Sequence, residues 1–456
     1  MIVRSAPPSL LATCLLGLVA CGEAQGGNAV KTQPLPPATL PVLARGEAPA
    51  HGAEPTHPIT PIARDDGPLE HPEQLQRFFH ALTRLKNHER SDDVRVVHFG
   101  DSHVAADLQT GAIRRTLQAE LGDGGRGFVS IGEPWKRYMQ EGVRAGAMVS
   151  FTAEWGKWKN GHYEGDGLYG LGGIRLSTNK RGSALTELRQ AIRAGSSLDL
   201  HYLEWPQGGT FEVYVDGARA ASVPSKGPRT RSAFQTIPLP AGARSLEVRA
   251  LGNGEVRIFG GAIDAPEYGL VYDAIGRNGA RAANMLDWDE AHFAEQLSHR
   301  APQLVVLSFG TNEAGDPTPD DVYTGRLQAL VSRILGAAPE ASCMLVGPPD
   351  RATQTVASMP SRREAAVGWE TMPRVLELIA LQRRVAEQSG CAFYDQLRAM
   401  GGAGTIARWV NETPPRAQKD HVHLTRDGYV ELGTRFAQDL LRAYAATSVE
   451  LDVAER

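Results

Sequence analysis

A chain of 456 residues, 42% hydrophobic and 22% charged, can bury sizeable cores and has room for more than one domain; its composition excludes a low-complexity or fibrous protein. A formal net charge of −4 offers no basic stripe, which argues against nucleic acid as a partner and favours a small or neutral polymeric substrate.

In chain order, Arg4 followed by the short apolar run from Leu10 to Ala20 reads as an export signal (residues 1–20), too short for an ordinary membrane span. Leu18-Val19-Ala20-Cys21 resembles the bacterial lipobox, in which cleavage leaves the cysteine as a lipidated N-terminus. Residues 21–70 are rich in Pro, Ala and Gly and lack an apolar period, the composition of an extended tether. Of the four cysteines, Cys14 leaves with the signal and Cys21 would carry lipid. Cys343 and Cys391 each head a predicted strand, where a disulfide and buried free thiols fit equally well.

Leu75, Phe78, Phe79, Leu82 and Leu85 recur at helical spacing and predict an amphipathic helix. The mostly apolar, β-branched stretch Val94 to Phe99 predicts a buried strand of a parallel sheet, and Gly100-Asp101-Ser102 follows as a sharp turn that would deliver a serine at the strand's carboxyl end. Ser102 is the candidate nucleophile. Ile113, Leu117 and Leu121 predict the next helix, ended by Gly122-Asp123-Gly124-Gly125.

Between residues 148 and 266 the helical period gives way to short alternating runs, with Asp216-Gly217 and Gly252-Asn253-Gly254 as turn signals; an inserted antiparallel β-sandwich is expected, with Trp155, Trp158 and Trp205 in its core. Beyond it the βα rhythm returns, with strands at Leu270–Ile275, Leu304–Phe309, Cys343–Gly347 and Cys391–Tyr394. The fold class expected is α/β, a flavodoxin-like doubly wound parallel sheet built from residues 71–147 and 267–446 around the insertion. In that strand order the first and third strands flank the crevice, so Ser102 and Asn312 of Gly310-Thr311-Asn312-Glu313 would face each other across it.

Asp420 and His423 stand three residues apart at the entry to a helix carrying Tyr429, Leu432, Phe436 and Leu440 on one side. At that spacing a carboxylate can reach Nδ1 while Nε2 points outward, the orienter and base that a serine nucleophile needs. Asp101, His98, His103 and His421 read as structural or supporting groups, and Gly347-Pro348-Pro349-Asp350 as loop geometry.

These blocks, Gly100-Asp101-Ser102, Arg277-Asn278-Gly279-Ala280, Gly310-Thr311-Asn312-Glu313 and Asp420-x-x-His423, resemble in order those of the SGNH (GDSL-type) hydrolase superfamily. The resemblance implies Ser102 as nucleophile, His423 as general base, Asp420 as its orienter, and an oxyanion hole from the backbone N–H of Ser102 and Gly279 with the Asn312 amide. Gly276 remains a rival to Gly279, because the second block is the loosest. His103 stands where the namesake motif has Leu, and Glu313 where Asp is common. This wording, the long β insertion and the lipoprotein start look most like peptidoglycan O-acetylesterases of Gram-negative bacteria, whose insertion is a jelly-roll similar to carbohydrate-binding modules. The function so implied is removal of O-acetyl groups from a cell-wall polysaccharide, by a lipid-anchored monomer facing the periplasm, with neither a metal nor an organic cofactor. Acetyl transfer to another sugar, action on another acylated polysaccharide or lipid, and a non-catalytic anchored polysaccharide-binding protein are the alternatives, and a secreted protein the alternative location. A metal site built from Asp101, His103, His421 and His423 is a further rival.

Overall fold

The computed structural model describes residues 67–136, 138–160, 162–356 and 367–454. The predicted signal, the tether and Cys21 lie outside the described residues.

Five strands form a parallel sheet: β1 (Val94–Gly100), β2 (Leu270–Gly276), β3 (Leu304–Ser308), β4 (Ser342–Val346) and β5 (Ala392–Tyr394). Their spatial order is β5-β4-β3-β1-β2, so the flavodoxin-like arrangement expected from the βα rhythm is the one adopted. Leu69–Glu70 adds a short antiparallel edge on β5, too brief to show as a periodic run.

Both faces of the sheet are covered, which is why its strands read as near-continuous apolar runs. Val97, Phe99, Val305, Leu307, Leu345 and Phe393 belong to one core, packed with residues of helices α3 (Glu290–Arg300), α4 (Asp320–Ala337) and α5 (Pro373–Ser389). Val94, Val96, Leu304, Val306, Met344 and Tyr394 belong to the other, beneath α1 (Gln76–Lys86), α2 (Leu108–Leu121) and α6 (Arg426–Ala454). The period-2 alternation of each strand thus feeds two layers. Cys343 and Cys391 head neighbouring strands and are joined as a disulfide, Cα to Cα 4.8 Å, which resolves the choice the sequence left open.

The insertion is two antiparallel sheets facing each other across their own core, including Phe211, Val213, Leu246 and Val248 from one and Leu198, Leu200, Val256 and Ile258 from the other. Gly125–Val129, directly after α2, pairs with Val256–Asp264 of that sandwich. The tryptophans depart from the expected core: Trp155 and Trp205 are only half-buried, and Trp158 is 60% exposed, on a hairpin (Lys157–Lys159 with His162–Glu164) whose strands pair only with each other. The helix expected from about Ala280 begins as a 3-10 turn over Ala282–Asp287 before α3. Among the described residues no helix is long and apolar enough to cross a membrane.

Candidate active site

Strand β1 is buried along its length and stops at Gly100, where a Cβ would lie 2.4 Å from Val104 Cγ2 and 2.9 Å from the Ser308 carbonyl oxygen. Only glycine lets the chain turn that tightly. Asp101 then caps a one-turn helix, Ser102–Ala105, by accepting the backbone N–H of His103 at 2.9 Å. Ser102 therefore stands at the helix start, part-buried, at the carboxyl end of the sheet.

The second half of the site comes from the turn before α6. Asp420 divides its carboxylate between two tasks: Oδ1 accepts the backbone N–H groups of Val422 and His423, each at 3.0 Å, and Oδ2 lies 2.7 Å from His423 Nδ1. The first task fixes the turn and the second fixes the imidazole. His423 Nε2 then faces Ser102 Oγ at 3.0 Å, 321 residues away in sequence. Burial alone would push the Asp420 carboxyl up, but the His423 ring and the two backbone N–H groups hold it below the usual carboxylate range, and it stays charged. An ionised carboxylate on Nδ1 keeps the proton there and leaves the Nε2 lone pair directed at the serine hydroxyl.

Asn312 follows β3, across the switch point from Ser102. Its side-chain amide donates to the Ala280 carbonyl at 2.9 Å, which joins the second and third sequence blocks and leaves its other N–H free of that bond. The two rival glycines have different surroundings. Gly276 pairs with Gly100 across the sheet, and a Cβ there would fall 2.3 Å from the Ala105 nitrogen; its smallness serves packing against the serine turn. Gly279 has φ +71°, is exposed, and has open space where a Cβ would project. A left-handed residue beside the anchored Asn312 suits a backbone N–H presented to a ligand, so Gly279 is the better oxyanion candidate.

Glu313 is a participant that sequence reasoning noted only as a departure from Asp. It is 6% exposed, and its carboxylate accepts Ala282 N–H at 2.8 Å and Gly310 N–H at 3.1 Å, bracing the loops of Gly279 and Asn312 against each other. Burial raises its pKa, the N–H bonds opposing. The signal was present as an acidic residue directly after Asn312, but its backbone partners are not legible from side-chain wording.

The supporting histidines separate by role. His103 is buried, its Nδ1 3.0 Å from the Tyr429 hydroxyl and its ring 5.5 Å from that of His423. Burial, then the nearby His423, push its pKa down to about 3, so it presents a neutral ring to the base. His98 lies between Tyr272 Oη at 2.8 Å and Ser308 Oγ at 2.6 Å. His421 adopts φ +56° and its ring stacks on Trp369, centroids 3.6 Å apart. Asp350 is fully buried and accepts Thr371 Oγ1 and Ile406 N–H, which makes the Gly347–Asp350 stretch loop architecture.

Comparison with known proteins supplies an independent measure. Residues 257–430 match the GDSL-like lipase/acylhydrolase family. A solved structure of a peptidoglycan O-acetylesterase aligns over 81% of this chain and 96% of its own, with 25% identity and a TM-score of 0.64. Far more remote are a family two carbohydrate esterase from Clostridium thermocellum bound to cellohexaose (12% identity, 58% of this chain, 93% of that one, TM-score 0.26) and an acetyl xylan esterase (15%, 37%, 81%, 0.28). No curated protein sequence matches the chain significantly. The chain carries a GDSL-like lipase/acylhydrolase domain on the SGNH hydrolase fold, and is a carboxylic ester hydrolase.

Proposed function

We propose that this protein is a serine esterase that removes O-acetyl groups from a cell-wall polysaccharide, peptidoglycan being the substrate best supported. The observation that carries the mechanism is the continuous contact Ser102 Oγ, His423 Nε2, His423 Nδ1, Asp420 Oδ2, with steps of 3.0 Å and 2.7 Å. In this reading Ser102 Oγ attacks the ester carbonyl carbon as its proton passes to His423 Nε2. The charge gathering on the carbonyl oxygen is met by the Asn312 amide and the backbone N–H groups of Ser102 and Gly279. Collapse of the tetrahedral intermediate expels the sugar alkoxide, which takes the proton from His423 and leaves an acetyl-enzyme. Water, deprotonated by His423, releases acetate and restores Ser102.

Substrate class is supported by the peptidoglycan O-acetylesterase that the chain resembles over nearly all of that protein's length. The lipobox-like Cys21 supports an envelope location, and the Cys343–Cys391 disulfide suits an oxidising compartment. The decisive assay is acetate release from O-acetylated peptidoglycan, compared with acetylated xylan and a long-chain ester. Release from peptidoglycan in preference to both, abolished by Ser102→Ala, is expected; turnover of only the long-chain ester overturns the substrate, and undiminished activity of Ser102→Ala overturns the mechanism. Adding a sugar acceptor and weighing transferred acetyl against free acetate separates hydrolysis from transfer.

A further inference from the structure

Away from the serine, at the join between the sandwich and the hydrolase, three metal-ligating side chains converge. Asp199 and His201 lie two residues apart on the strand Ser197–Glu204, so both project from one face of the sheet. His299 comes from the last turn of α3. One carboxylate oxygen, Asp199 Oδ2, lies 3.2 Å from His201 Nε2 and 2.8 Å from His299 Nε2, and the donor atoms of all three fall within 4.8 Å of one another. Among the described residues this is the one such group of three or more.

Hydrogen bonding leaves the arrangement incomplete. Both imidazoles meet one oxygen of Asp199, while its second oxygen, Oδ1, is buried with no partner among the described residues and is free to share in holding an ion. His201 is fully buried and wedged edge-on against Phe128 and Phe234, while the His299 ring stacks flat on Phe234 at 3.5 Å, so two of the three ligands are held by packing. Arg300 is the nearby cation, and its charge is met by Asp273 and Asp264.

We propose that Asp199, His201 and His299 bind a divalent transition-metal ion of the zinc type, which staples the sandwich to helix α3. Two imidazoles and a carboxylate form a common zinc donor set. A tetrahedral ion with bonds of about 2.0–2.1 Å separates its ligand atoms by about 3.3 Å; His201 Nε2 stands 3.2 Å and His299 Nε2 2.8 Å from Asp199 Oδ2, so an outward shift of the His299 ring by about 0.5 Å admits the ion. The side chain of His299 is 35% exposed, which leaves a path for the ion and room for water as the fourth ligand. The site is independent of the esterase reading, for none of its ligands belongs to the Ser102 constellation.

Untagged full-length protein, stripped of metal, is titrated calorimetrically with Zn2+ and, in parallel, with Co2+ as a visible-absorption probe. One ion per chain at micromolar concentration, a four-coordinate cobalt spectrum and a zinc-dependent rise in unfolding temperature are expected. His299→Ala and Asp199→Asn should each weaken uptake at least tenfold. Failure of the wild-type chain to take up one ion overturns the proposal, as does wild-type affinity in both variants. If His299→Ala melts early without metal, Asp199→Asn, which keeps an oxygen in place, decides alone.

Discussion

At the scale of single residues, the site contrasts groups that must carry charge with groups that must not. Asn312 is the most direct test of the oxyanion assignment: a preorganised donor of this kind is typically worth about 3–4 kcal/mol, so Asn312→Ala should lower kcat by about 10²–10³ with little change in KM. Glu313→Gln keeps one acceptor but turns an NH2 group toward the second backbone N–H, so one of two buried hydrogen bonds is lost. A fall in kcat of about tenfold is expected, together with a loss of about 1–3 kcal/mol of stability from the unpaired N–H; a change confined to KM would argue against a bracing role. Asp101 supplies a pH signature. Burial, with Glu313 adding to it, pushes its carboxyl up to about 7, against the pull of the His103 N–H. Between about 4, where an unfolded aspartic acid titrates, and about 7, the native state holds a proton that the unfolded state has lost. The contribution of this group to stability is therefore full at low pH and is lost as pH rises through that window. Asp101→Asn, which still accepts the His103 N–H, should remove that slope, and equal slopes for variant and wild type in urea melts from pH 4 to 8 would refute it.

At the scale of elements, what was legible follows from how local the cause is. Val94–Gly100 could be read because burial on both faces demands an unbroken apolar run, and Asp420 with His423 because three residues span the whole contact. The bracing of Ala282 by Glu313 joins residues 31 apart through backbone atoms, which leave no mark in side-chain wording. Asp199 and His299, 100 residues apart, meet only once the sandwich docks on α3. The cysteines were ambiguous for a related reason: strand heads attract buried thiols whether or not their strands are neighbours, and β4 beside β5 is a topological fact. The disulfide closes a segment with a sequence separation of 48, for which loop-closure entropy predicts about 4 kcal/mol of stability. Replacing both cysteines by alanine should lower the denaturant midpoint correspondingly while leaving specific activity intact at low temperature. Gly276→Ala and Gly279→Ala should likewise part company: the first, forced against the Ala105 backbone, should reduce folded yield, and the second should fold but lose activity.

At the scale of the whole molecule, the question is whether the sandwich is an appendage or part of the hydrolase's own fabric. Strand Gly125–Val129 leaves α2 and enters the sandwich sheet beside Val256–Asp264, and the Phe128 N–H donates to Asp273 Oδ1 of β2 at 2.8 Å. Asp273, fully buried, also holds Arg300 of α3, which is 2% exposed and reaches on to Asp264 at the end of the sandwich strand. Parallel sheet, helix and insertion therefore share one buried ionic junction. Removing one member of such a group leaves a charge desolvated and unpaired, at a cost of about 3–5 kcal/mol, whereas replacing opposite charges together by apolar residues is often tolerated. Arg300→Met should therefore destabilise the whole described body in a single unfolding transition, seen alike by loss of esterase activity and by fluorescence of the sandwich tryptophans in a background where Trp288, Trp369 and Trp409 are replaced by Phe. Asp264→Asn, at the less buried edge, should cost less. If Arg300→Met instead splits the melt, with activity surviving after the sandwich signal has gone, the two parts are separable and the junction does not couple them; coincident loss makes the insertion a structural partner of Ser102's sheet.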